Sequence, residues 1–76
     1  MKQRVVRTYL NIITTKGEFH ALDAKGEIER DKALDMARQH DAAKAVLYYC
    51  KENALISDPD ILIDGDVVVT QEDGLY

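Results

Sequence analysis

Seventy-six residues, 46% hydrophobic and 32% charged, describe one small globular domain and leave no length for a second. Cys50 is the only cysteine and His20 and His40 the only histidines, which excludes an internal disulfide and a paired zinc-ligand set as compensation for a small core. The net charge of −4 is unevenly spread: residues 1–17 carry four bases and no acid, residues 18–51 seven acids against six bases, and residues 52–76 seven acids and no base.

Taken in chain order, Met1-Lys2-Gln3-Arg4 is basic like the start of an export signal, yet Arg7 and Thr8 interrupt the apolar run that such a signal needs. No stretch approaches the roughly 18 apolar residues of a membrane span. With a lone cysteine, the expected compartment is the reducing cytoplasm. Val5–Thr15 alternates Val6, Thr8, Leu10 and Ile12 with Arg7 and Asn11, the pattern of a half-buried strand. Lys16-Gly17 supplies turn chemistry, and Glu18–Ala24 reads as the return arm of a hairpin. After a break at Lys25-Gly26, Asp31 is the expected N-cap of a helix over 32–40, with Ala33, Leu34, Met36 and Ala37 at helical spacing.

Two patterns then compete. A continued helix places Met36, His40, Ala43, Leu47 and Cys50 on one stripe; a stop near Asp41 makes Ala45–Cys50 a strand. The β-forming run Val46-Leu47-Tyr48-Tyr49 favours the strand. Leu55-Ile56 follows a turn at Lys51-Glu52-Asn53, and Pro59 breaks the chain because it has no amide to give a ladder. Ile61-Leu62-Ile63, Asp64-Gly65 and Val67-Val68-Val69 read as a tight terminal hairpin, with 71–76 as a loose tail. The expected architecture is α+β of ββαββ type: one antiparallel sheet, one short amphipathic helix on one face and a C-terminal hairpin.

One helix covers only one face of a sheet. If Asp64-Gly65 is a two-residue turn, Leu62, Val67 and Val69 share one face and Ile61, Ile63 and Val68 the other, so this hairpin is apolar on both sides. A second apolar face in so small a chain points to a protein interface. Ile61, Ile63, Val67 and Val69 are the candidates for a homodimer contact. Tyr48 and Tyr49 point to opposite faces of their strand, so one of them reaches the same surface, where tyrosine is a favoured anchor.

Catalytic and metal chemistry find little support. Asp58, Asp60, Asp64 and Asp66 suggest a hard-cation site, but their spacing lacks the EF-hand order and an apolar strand intervenes, so turn chemistry explains them better. A Cys50 thiolate with His20 or His40 as base is chemically sufficient, yet a cysteine in an apolar strand is more often inert. Phosphate-cradling glycine motifs and a nucleophile elbow are absent from the sequence. Glu27, Glu29 and Asp31 crowd the helix start, where the helix dipole already favours acids. No enzyme and no cofactor is expected. Lys2, Arg4, Arg7 and Lys16 form a basic stripe that suits a nucleic-acid binder, but the acid excess opposes phosphate contacts.

In length, acidity and element order (Val5–Thr15, Glu18–Ala24, Asp31–His40, Ala45–Cys50, Ile61–Thr70), the chain resembles small phage-encoded anti-defence proteins, including anti-CRISPR proteins. That resemblance covers the whole chain and rests on no diagnostic motif, so it transfers no residue. It implies stoichiometric binding that blocks a target, with an acidic surface occupying the basic nucleic-acid channel of a protein partner. Asp58, Asp60, Asp64, Asp66, Tyr48 and Tyr49 are the nominated contacts. The alternatives are a homodimeric accessory module and a small nucleic-acid-binding domain using the basic first strand.

Overall fold

The structure, a computed structural model, describes residues 4–53 and 56–66. Within them lie strands Val5–Thr14 (β1) and Phe19–Lys25 (β2), helix Arg30–Gln39 (α1), and strands Ala42–Lys51 (β3) and Asp60–Asp64 (β4). The strands form one antiparallel sheet in the order β2-β1-β3-β4, with α1 packed on β3 and β4. This is an α+β fold.

β1 and β2 form the hairpin that the Lys16-Gly17 turn predicts. Gly17 takes φ 84°, a left-handed value that disfavours any side chain, and its N–H donates to the Thr14 carbonyl at 2.9 Å. The buried Thr14 hydroxyl accepts the N–H groups of Lys16 and Glu18 at 3.3 and 3.1 Å, which supplies partners inside the turn.

α1 starts earlier than the sequence suggests. Glu29 occupies the cap position without a side-chain capping bond, and Asp31 lies in the first turn. Asp31 therefore supports the helix through the positive end of its dipole and not as the expected N-cap. The helix ends because Asp41 turns left-handed at φ 56°, a conformation that aspartate tolerates better than most residues. Its N–H donates to the Arg38 carbonyl at 3.0 Å, and its carboxylate accepts the Thr15 hydroxyl at 2.7 Å. This stop decides between the two patterns for the following segment: Ala42–Lys51 is a strand, beginning three residues before the expected Ala45.

The core lies between α1 and the two central strands. Leu10 and Ile12 of β1, Ala45 and Leu47 of β3, and Ala33 and Ala37 of α1 are buried. Ala33 and Ala37, four apart on the helix, let its backbone approach the sheet closely. Leu22, Ile28, Met36, Tyr49, Leu62 and Ile63 pack around this centre.

β4 departs from simple alternation. Ala45 pairs with Ile63 and Val46 with Ile61, which leaves Leu62 as the extra residue of a β-bulge. Leu62 and Ile63 both pack against the core, while Ile61 stays 50% exposed opposite Val46. The expected grouping of Ile61 with Ile63 on one face is therefore corrected: the bulge separates them. Gly65 continues along β3, its N–H donating to the Ala43 carbonyl at 2.6 Å. Val67, Val68 and Val69, the second arm of the expected hairpin, lie outside the described residues. No helix among the described residues is long and apolar enough to cross a membrane.

Candidate interaction face

Burial of Thr8, Leu10, Ile12 and Thr14 on the helix side of β1 turns Arg7, Tyr9, Asn11 and Ile13 to the opposite side. Cross-strand register extends this second face. Ile13 pairs with Phe19 of β2 and Lys44 of β3; Asn11 pairs with Ala21 and Val46; Tyr9 pairs with Asp23 and Tyr48. Ile61 of β4 adds to the row through Val46, and Ile56 joins beside Cys50 through a single bridge. The result is a face with Tyr9, Tyr48, Val46 and Ile13 at its centre. Phe19, Ile61 and Ile56 border it at 56%, 50% and 62% exposure. Tyr9, Asn11, Tyr48 and Ile56 line a shallow, open depression of about 290 Å³.

Charges sit at the margin and are mostly countered. The Arg7 guanidinium donates to the Asp23 carboxylate at 2.9 Å, and Lys44 lies opposite Asp64 in register. Lys25 is the remaining cation of the face. An apolar centre with a polar rim is the common anatomy of protein–protein interfaces.

The two adjacent tyrosines have separate roles. Tyr48 lies on the open face. Tyr49 packs against the core on the helix side, where its hydroxyl donates to the Ile28 carbonyl at 2.8 Å and its N–H donates to the Ser57 hydroxyl at 2.9 Å. Burial, then the nearby Glu27 and Asp60 carboxylates, push the Tyr49 hydroxyl above its usual value, because each disfavours the phenolate.

The nominated acids do not gather into one strip. Asp60 pairs with Arg30 at 3.0 Å, tying the start of β4 to the start of α1. Asp64 stands opposite Lys44 in register, and Asp58, Asp64 and Asp66 are all exposed without an ion pair among the described residues. Ile63 belongs to the core, and Val67 and Val69 fall outside the described residues. His20 and His40 stand near each other, ring centroids 5.7 Å apart, with His20 Nε2 4.0 Å from a Glu18 oxygen. Cys50 lies across the sheet from them, in register with Arg7, so neither histidine is placed to take its proton.

No family model matches the chain, and neither a curated protein nor a solved structure matches it. The face therefore has to be read from its own chemistry. Reading the sequence singled out Tyr48 and Ile61 but missed Tyr9, Phe19, Ile13, Val46 and Ile56. The signal for three of these was the odd-numbered side of β1 and the outward positions of β3; only strand order shows that they meet.

Proposed function

We propose that this chain is a non-enzymatic protein-binding module that acts by occupying a partner surface through the open face of its sheet. The observation that carries this reading is the exposed apolar patch centred on Tyr9 and Tyr48, with Arg7 at its rim paired to Asp23 and Lys44 opposite Asp64 in register. Apolar side chains left in water at this density are stabilised by transfer to a partner, at roughly 25 cal/mol per Å² of area covered. Single-stranded nucleic acid also stacks on aromatic sheet faces. It needs several cations free for phosphate, however, and here Arg7 is held by Asp23 and Lys44 faces Asp64, which leaves Lys25 among the described residues of the face.

The test compares the parent chain with Phe19→Glu and Ile56→Glu, both at exposed positions. Loss of apolar-dye binding in the variants, with unchanged circular dichroism and no retention of a labelled single-stranded oligonucleotide at physiological salt, supports a protein-facing surface. Tight oligonucleotide binding through Tyr9 and Tyr48 overturns it.

A second reading is favoured by the exposure of Asp58 and Asp66 without ion pairs among the described residues. They offer negative charge to a basic surface, the chemistry needed by a phage or mobile-element inhibitor that blocks a nucleic-acid-handling complex. Unchanged affinity for such a complex in Asp58→Lys and Asp66→Lys removes this reading.

A further inference from the structure

The inner layer of this fold is thin. Among the described residues six hydrophobic ones are buried, and three of them, Ala33, Ala37 and Ala45, are alanines. A domain of this length buries about 60% of its unfolded surface and gains much from an added layer. The outer face holds larger side chains than the inner centre does, including Tyr9, Tyr48, Phe19 and Ile61.

Charge decides what can approach it. The chain carries a net −4, so two copies repel over most orientations. On the open face the Arg7–Asp23 pair and the opposition of Lys44 to Asp64 leave Lys25 as the net charge, so like-charge repulsion is weakest there. Shape agrees: a twisted sheet stacks on another of equal twist, with strands within about 30° and layers roughly 10 Å apart, and a second copy has that twist by construction. Four strands about 4.8 Å apart, and six steps of about 3.4 Å from Arg7 to Ile13, give a face on the order of 19 by 20 Å. With side-chain relief each copy covers roughly 450–550 Å², so a pair buries on the order of 900–1,100 Å², the lower end of specific interfaces and the size of a dimer that dissociates on dilution.

We infer that two copies of the chain pack their open faces together, forming a two-sheet sandwich with one helix on each outer side. This rests on the reading of the open face as a protein contact surface. The dimer buries Tyr9 and Tyr48 at its centre and leaves Asp58 and Asp66 outside the apolar patch.

Sedimentation equilibrium of the full chain over a concentration series tests it. The expected result is a mass of twice 8.6 kDa at high concentration that falls toward the single-chain value on dilution. Phe19→Glu and Ile61→Glu, each at a site at least half exposed, should raise the dissociation constant about tenfold or more, because each sets an unpaired carboxylate into the apolar contact. Asp35→Lys, on the exposed side of α1, should leave the dimer intact. Alkylation of Cys50 should slow over the concentration range in which the dimer forms. A single-chain mass at every concentration, or a dimer indifferent to both glutamate variants, overturns the inference. A monomer that still binds an apolar dye in a manner suppressed by these variants overturns the dimer alone. A monomer that binds no dye overturns the reading of the face as well.

Discussion

Thr8 offers the sharpest check on how the sheet is held to the loop that leads into α1. Its side chain is buried, and its hydroxyl both donates to the Gly26 carbonyl at 2.7 Å and accepts the Ile28 N–H at 3.1 Å. Replacing Thr8 with valine preserves shape but leaves both backbone groups without that partner. Each orphaned group costs about 1–3 kcal/mol when water cannot reach it, and partial solvation of the loop lowers the sum to roughly 2–4 kcal/mol. For a domain of this size that corresponds to a fall in Tm of about 10–25 °C. Thr8→Ser keeps both hydrogen bonds and deletes one methyl, at about 1 kcal/mol. Urea unfolding followed by far-ultraviolet circular dichroism ranks the three proteins, and the expected order is parent, then serine, then valine. A valine variant as stable as the serine variant refutes the two-bond account. It would mean that apolar packing, and not the hydroxyl, holds the loop.

Substitutions at three further positions test other parts of the fold. Asp41→Gly should be more stable than Asp41→Ala by about 1 kcal/mol in the same assay, because glycine accepts φ 56° while both lose the Thr15 bond. Gly65→Ala should destabilise by about 1–3 kcal/mol and speed amide exchange along β4, since the added Cβ would lie 2.6 Å from the Ala43 carbonyl oxygen; equal exchange rates would contradict that close approach. Tyr49→Phe should lose about 1 kcal/mol near neutral pH with its bond to Ile28. The raised value of Tyr49 means the folded state holds the phenol proton more tightly than the unfolded state does. Its contribution is therefore complete below the ordinary value of 10.0 and is lost as pH rises through the folded value, so urea midpoints of the parent and the phenylalanine variant should converge above pH 10.

Local chemistry made most elements legible. The alternation in β1, the glycine turn before β2, the apolar spacing of α1 and the β-forming run at Val46–Tyr49 each name their own conformation. Legibility stops where a decision is made by contacts distant in sequence. Asp41 ends α1 with the help of Thr15, a residue of the first hairpin. The extra residue at Leu62 is visible only against β3, because a bulge is a property of a pair of strands. For the same reason Ile61 and Ile63 separate despite their spacing of two, and Tyr9 and Tyr48 become neighbours only once β3 is known to lie beside β1.

That strand order also explains the charge pattern. β1 sits between β2 and β3, so the bases in and just before it meet acids of the neighbouring segments: Arg7 pairs with Asp23 of β2, and Arg4 with Glu52 just beyond β3 at 3.3 Å. Both pairs are exposed, worth less than about 1 kcal/mol each, and matter more for the field they cancel than for stability. With the basic strand neutralised in this way, the acids at Asp58 and Asp66 keep their field while the open face has little of its own. The same two central strands supply Leu10, Ile12 and Leu47 to one side and Tyr9, Ile13 and Tyr48 to the other. A single sheet thus divides its side chains between two surfaces: inward positions hold the helix, and outward positions form the open face proposed as the contact surface. In the proposed dimer the open face is where like-charge repulsion is least, so a change of charge at its rim should alter association more than a change of charge on the helix.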